Sequence, residues 1–284
     1  MENILQQNGN FTLSNGVKIP NIGYGTYLMP DNDLVYSLAK KAFSFGYRHI
    51  DTAFFYQNEQ GVGRAVKDCG LDRKDLFVTS KLWNADRGYD STLFAFDKTM
   101  QNLGLEYLDL FLIHWPAPTS NPDWQEINKS TWKAFIKLYN EKRVRAIGVS
   151  NFKPHHLELL MDSEVKPMVN QIEYHIGQTQ TETVDFCKKN NIVIEAWGPL
   201  GRGKCLTDER IVALANKYGV SVAQLLIRWC LQNGILPLPK SQTEQRVKDN
   251  LQVFGFEIST TDMQYLNDIP YFAGSGHDPD KIKF

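Results

Sequence analysis

At 284 residues, 42% of them hydrophobic, the chain is long enough to bury a large core without disulfide or metal staples. Its formal net charge of −1 speaks against a nucleic-acid footprint or a polybasic membrane patch. The cysteines Cys69, Cys187, Cys205 and Cys230 form no CxxC pair and match no zinc spacing, so reduced thiols and no metal are expected.

The first ten residues, MENILQQNGN, lack the charged-then-apolar plan of a secretory signal. Next, FTLSNGVKIP (11–20) reads as a hairpin turning at Asn15-Gly16, placed to plug the bottom of a barrel. Strand-like runs follow at 21–25 (NIGYG), 47–51 (YRHID), 76–81 (LFVTSK) and 108–114 (LDLFLIH). They continue at 146–151 (AIGVSN), 167–173 (PMVNQIE), 192–197 (IVIEAW) and 235–239 (ILPLP). Their apolar stretches are continuous rather than alternating, which suits parallel strands covered on both faces.

Helical patterns lie between. The first, 31–46, has Leu34, Val35, Leu38 and Ala42 on one stripe, Asp31 at its start and Gly46 as its stop. At 130–142, Trp132, Phe135, Ile136 and Tyr139 share a face, and 221–234 runs from Ser221 to Gly234. The longest apolar stretch, AQLLIRWCL, is broken by Arg228 and too short for a bilayer, so a cytoplasmic protein is expected. Eight strands, each followed by a helix, predict one α/β domain over residues 1–284, a (β/α)8 TIM barrel. A doubly wound sheet is the alternative and would carry GxGxxG after its first strand. The nearest glycine cluster, GVGRAV at 61–66, lacks the third glycine and falls in a helical stretch.

In a barrel, the C-terminal strand ends face the active site. Asp51 ends the second strand, Lys81 the third and His114 the fourth, with Tyr56 on the loop after the second. Singly, each has an ordinary role: a turn cap, a solvated strand end, a satisfied core histidine, a core tyrosine. Together they form a group that is costly to bury without a purpose. The chemistry such a set suits is proton donation to a carbonyl oxygen as hydride reaches its carbon. A free tyrosine has a pKa of about 10. A nearby ammonium favours the phenolate and lowers that value, while a carboxylate behind it keeps the lysine charged and in place. Asp51–Lys81–Tyr56 therefore reads as an acid-tuning relay, with His114 orienting the substrate carbonyl.

The motifs DTAFFYQNE, TSKLW, LFLIHWP, GVSNF, NQIEYH and PKSQTEQRVKDN, in this order, resemble those of the aldo-keto reductases over nearly the whole chain. The resemblance implies Asp51, Tyr56, Lys81 and His114 as a catalytic tetrad. Tyr56 would be the acid in reduction and the base in alcohol oxidation. It implies NADPH/NADP+ as cofactor and a small-molecule carbonyl as substrate. Ser150, Asn151 and Gln171 then meet the nicotinamide carboxamide, and Trp197 stacks on the ring, barrel packing being its plainer role. Gly25 and Thr26 approach the cofactor. GPLGRG (198–203), with Gly198 and Leu200, covers the pyrophosphate or serves as a plain connector. Lys240, Ser241, Thr243 and Arg246 grip the 2′-phosphate and Asn250 the adenine; a solvated basic surface is the plainer reading of Lys240 or Arg246 taken singly.

Tyr27, Phe55, Trp83 and Trp115 are expected to rim the substrate pocket, or else to pack loops. The chain departs from the family's usual pattern at Tyr27 (often Trp), Gly198 (often Ser), Ile176 (usually Pro) and Asp249 (often Glu). These bear on cofactor affinity and substrate range, not on the tetrad. The tail PYFAGSGHDPDKIKF (270–284) reads as short and mobile, with His277 solvated and His155 and His156 at the surface. Two other functions fit the same residues: a barrel aldolase using Lys81 as a Schiff base, and an NADPH-binding, redox-sensing barrel without turnover. A monomer is expected, with no nucleic-acid or membrane partner.

Overall fold

Two short antiparallel strands, β1 (Asn10–Thr12) and β2 (Lys18–Pro20), begin the computed structural model, which describes residues 4–29, 32–116 and 122–283. Gly16 turns the hairpin at φ 86°, as Asn15-Gly16 predicts. Eight further strands follow: β3 (Tyr24–Gly25), β4 (His49–Asp51), β5 (Phe77–Leu82), β6 (Leu108–Ile113), β7 (Val144–Ser150), β8 (Val169–Glu173), β9 (Val193–Trp197) and β10 (Leu236–Leu238). Each pairs in parallel with the next. Gly23 and Gly25 N–H donate to the Pro237 and Pro239 carbonyls, both at 3.1 Å, joining β3 to β10 and closing the (β/α)8 barrel.

Closure explains the continuous apolar runs. Every residue of β5 and β6 is buried, one face by the lumen and the other by the surrounding helices. The hairpin sits at the opposite end from the chemistry: Asn15 Nδ2 donates to the Arg145 carbonyl, at the start of β7, at 3.0 Å.

The helix Asn32–Phe45 stops at Gly46, φ 115°, as read; its predicted first residue, Asp31, lies outside the described residues, as does the tail's Phe284. Ser221 caps the helix Val222–Gln232 in a capping box with Gln224, and Gly234 follows it at φ 75°. The helix Trp124–Asn140 starts earlier than position 130, because its first turn is largely exposed and offers no apolar stripe to read. GVGRAV falls within the helix Glu59–Asp68, where a Cβ at Gly63 would meet the Leu103 carbonyl oxygen at 1.9 Å. Those glycines serve close helix packing rather than a phosphate. No helix among the described residues is long and apolar enough to cross a membrane.

The tail departs from expectation. Ser275 donates to Glu173 through its N–H (2.8 Å) and its hydroxyl (2.7 Å). Lys153 Nζ donates to Asp278 and Asp280, each at 2.6 Å. His156 is fully buried, not at the surface. Its Nδ1 accepts the Lys153 N–H at 3.1 Å, so its own proton sits on Nε2, 2.8 Å from Asp280. Burial and the neighbouring His155 push it down to about 4, keeping it neutral. The physical reason is charge complementarity between HDPDK and KPHH, segments far apart in sequence. His155 and His277 are exposed as expected.

Candidate active site

The stretch DTAFFYQNE is a strand end that doubles back. After Asp51 the chain runs extended through Ala53 into a single 3-10 turn, Phe54–Tyr56, closed by the Tyr56 N–H on the Ala53 carbonyl at 3.0 Å. Gln57, at φ 55°, ends it. Asn58 ties the loop down: its Oδ1 accepts the Thr52 hydroxyl at 2.8 Å and its Nδ2 donates to the Thr26 carbonyl at 3.0 Å. The turn returns Tyr56 to the end of its own strand.

Lys81, fully buried on β5, donates to Asp51 Oδ1 at 2.7 Å, to the Thr52 carbonyl at 2.9 Å and to the Tyr56 hydroxyl at 3.3 Å. All of its donors are used. The His114 ring lies edge-on to Tyr56 (5.8 Å between centroids) and to Trp83 (5.3 Å). The residues predicted as a tetrad are thus in one place.

The electrostatics differ from the sequence reading at Tyr56. Burial raises its phenol and outweighs the downward pull of Lys81; with Asp51 also pushing up, the net is about 12. A phenolate here loses more hydration than one ammonium, already shared with Asp51, can return. Burial also lowers Lys81, but Asp51 and Tyr56 overcome it and the net shift is upward, so the ammonium is secure. Burial, then Lys81, drive His114 well below its ordinary range, leaving a neutral imidazole with one N–H to donate.

Beneath lies a polar layer that the sequence reading passed over. His49 Nε2 meets the Thr79 hydroxyl at 3.0 Å, and burial followed by Lys81 holds this imidazole neutral, down at about 3. Glu195, fully buried mid-strand in β9, accepts from Gln171 Nε2 at 2.8 Å. Burial, then Asp51, raise it to about 8, so at neutral pH it keeps its proton. The available signal was a carboxylate inside the apolar run IVIEAW.

The Glu195 carboxyl ties stability to pH. Its value rises from 4.5 unfolded to about 8 folded. Between these the native chain binds the extra proton, so stability falls as pH rises, by up to roughly 1.4 kcal/mol per pH unit. Glu195→Gln is expected to flatten that slope, which urea unfolding at about pH 5.5 and about pH 7.5 measures.

The residues predicted to meet a cofactor are arrayed along neighbouring strand ends. Ser150 Oγ donates to the Gln171 carbonyl at 2.8 Å. Asn151, held at φ 65°, donates through Nδ2 to the His114 carbonyl and to Ser150 Oγ, each at 3.0 Å. Its Oδ1 accepts Trp197 Nε1–H at 2.7 Å, which fixes the half-buried Trp197 ring. Thr26 is fully buried and its hydroxyl donates to the Asp51 carbonyl at 2.9 Å, bracing the strand end. Gly25 lies close to β10: a Cβ there would approach the Leu238 carbonyl oxygen at 3.2 Å.

GPLGRG is a defined double turn, with the Gly201 N–H on the Gly198 carbonyl (2.8 Å) and the Gly203 N–H on that of Leu200 (3.0 Å). Beyond β10, half-buried Lys240, buried Ser241 and exposed Thr243 and Arg246 occupy one short stretch, with Asn250 buried behind. Burial lowers Lys240. Around Tyr56 and His114, Phe55 stacks on Trp83 (3.8 Å) and Tyr27 leans on Tyr56 (5.0 Å). Phe55 and Tyr27 are 45% and 43% exposed, which puts both at the mouth. Trp115 is buried, edge-on to His277 of the tail at 6.0 Å.

The chain matches the model of the Aldo/keto reductase family over residues 21–270. It belongs to that family. To the glyoxal reductase of Bacillus subtilis this aldo-keto reductase is 45% identical over 273 residues, covering 96% of each chain. To the 9,11-endoperoxide prostaglandin H2 reductase of Trypanosoma cruzi it is 43% identical, covering 95% of each. The crystal structure of a Gox0644 mutant in complex with NADPH superposes with a TM-score of 0.89 at 42% identity, covering 97% of this chain and 98% of that one. The expected family, barrel and NADP-dependent oxidoreductase class are thereby borne out.

A cavity of about 240 Å³ is lined by Trp197, Asn151, Lys153 and Glu173 together with Tyr271 and His277 of the tail. Sequence reading missed this wall, since the tail reaches it through long-range ion pairs and hydrogen bonds.

Proposed function

We propose that this aldo-keto reductase reduces small aldehydes, ketones and dicarbonyls to alcohols, with hydride from NADPH and the proton from Tyr56. The observation that carries the reading is the hydrogen-bonded line Asp51–Lys81–Tyr56 beside a neutral His114 at an open, aromatic-rimmed mouth. The likeness to a glyoxal reductase supports a small dicarbonyl substrate.

When bound, the nicotinamide supplies hydride to the carbonyl carbon. Gln171 offers a carbonyl oxygen for its carboxamide, and Trp197 offers a ring face held in place by Asn151. His114 donates its single N–H to the substrate oxygen and orients it. Tyr56, at about 12, keeps its proton through the neutral range and releases it to the far more basic alkoxide. Lys81 then stabilises the phenolate through the same hydrogen bond, and Asp51 holds Lys81. Carbon gains hydride, oxygen gains the phenolic proton, and the enzyme is left as phenolate until solvent returns a proton.

The aldolase reading has the geometry against it. A Schiff base needs a free amine, and Lys81 is an ammonium with its donors engaged.

NADPH consumption by the purified protein over glyoxal, a simple aldehyde and a simple ketone tests the proposal. Tight NADPH binding without turnover on any of them would favour the non-catalytic reading instead. Arg246 is taken as a 2′-phosphate ligand. Arg246→Ala is expected to weaken NADPH by roughly 10- to 100-fold, the worth of one charge-assisted hydrogen bond, and to leave NADH within about threefold. Equal losses on both would remove that role.

A further inference from the structure

The Gln171 side chain touches both Asp51 and the buried carboxyl beneath it. Its Nε2 lies 2.9 Å from Asp51 Oδ2 and 2.8 Å from Glu195 Oε2, so each amide hydrogen has a carboxyl acceptor. Both partners are almost wholly shielded from water, and so is Gln171. β8 and β9 pair Gln171 directly with Glu195, while Asp51 reaches in from β4. Two acceptor oxygens compel the amide to present its nitrogen edge to them, because a carbonyl turned the same way would face the Asp51 carboxylate. Among the described residues, the Gln171 side-chain carbonyl accepts no hydrogen bond.

Asp51 alone would leave the amide free to pivot about one contact. Glu195 supplies the second point. Its other neighbours explain why it is available: His49 Nε2 stands 3.9 Å from Oε1, beyond hydrogen-bond reach, and Lys81 is engaged by Asp51, Thr52 and Tyr56. The neighbouring strand β10 brings Leu236, which is apolar, into register with it. Glu195 Oε2 is left to accept from Gln171.

We propose that Glu195 is a positioning residue: by holding the second N–H of Gln171 it fixes that amide with its carbonyl toward the nicotinamide carboxamide, which strengthens binding of the nicotinamide end of NADPH. The inference rests on the cofactor reading above and deepens it. Glu195 itself touches neither substrate nor cofactor.

The test compares the affinity for NADPH with that for adenosine 2′,5′-bisphosphate, which carries the adenine end and no nicotinamide. Glu195→Leu removes the acceptor with little change in volume. Its NADPH affinity is expected to fall on the order of tenfold, as for one lost hydrogen bond, with bisphosphate affinity unchanged. Glu195→Gln, which retains a carbonyl at the same reach, is expected to restore the wild-type ratio. Glu195→Asp keeps a carboxyl but draws it back by a methylene, so it should lose NADPH affinity as the leucine variant does; it decides the matter if that variant does not fold. An unchanged NADPH affinity in Glu195→Leu and Glu195→Asp, or equal losses for both ligands, overturns the proposal. A wild-type protein that fails to bind NADPH would instead refute the cofactor reading itself.

Discussion

Tyr56→Phe is expected to lower carbonyl turnover by roughly 10²- to 10⁴-fold, the usual worth of a positioned general acid. NADPH affinity should stay within a few-fold. Only a hydroxyl is lost: the ring keeps its contacts with Tyr27 and His114, and Lys81 keeps its bonds to Asp51 and the Thr52 carbonyl. Steady-state turnover on glyoxal, alongside an NADPH titration, separates the two effects. A variant that kept a tenth or more of the wild-type rate would remove Tyr56 as the acid. The wild-type phenol, pushed up to about 12, retains its proton from acid to mildly alkaline pH. Reduction should therefore not fade across the neutral range through loss of this proton.

Lys81→Met is expected to damage both activity and stability. Methionine matches the lysine stem but leaves the Asp51 carboxylate, only 4% exposed, without its cation. Breaking one side of a buried ion pair costs about 3–5 kcal/mol. Turnover should fall at least as far as in Tyr56→Phe, since the phenolate left by proton transfer would lose its neighbouring charge. Urea unfolding distinguishes the two variants: Tyr56→Phe should unfold near the wild-type midpoint and Lys81→Met well below it. Adding Asp51→Asn to Lys81→Met should recover part of the stability and none of the turnover. A Lys81→Met protein as stable as wild type would mean that the pair is not buried as described.

Among the ionisable groups Tyr56, His114, His49 and Glu195, burial holds each in its neutral form near pH 7. The Lys81–Asp51 ion pair stands among these neutral groups. Burial of that pair would make the ammonium count for more if negative charge developed on Tyr56.

Much of this was legible in the sequence. Strands buried on both faces are predominantly apolar, so LDLFLIH announces itself without any partner in view. Ser221 and Gly234 mark a helix because capping is local chemistry. Asp51, Lys81 and His114 are legible because each ends a strand-like run, which in a barrel means one rim. Tyr56 was found because it follows Asp51 closely.

Other features depended on the closed barrel. Whether Lys81 lowers Tyr56 or burial raises it turns on how much water the folded mouth excludes, and no spacing along the chain carries that quantity. Glu195 sits in a run whose apolar average hides a single carboxylate, and its partner Gln171 belongs to the adjacent strand. The tail's glycines, aspartates and prolines carry little local structure, so its sequence alone suggests mobility. Lys153, His156 and Glu173 hold it down from positions over a hundred residues away. Local propensity and apolar pattern thus determined the elements and the rim. Burial and long-range charge pairing, which exist only once the barrel closes, decided the protonation states and the wall of the pocket.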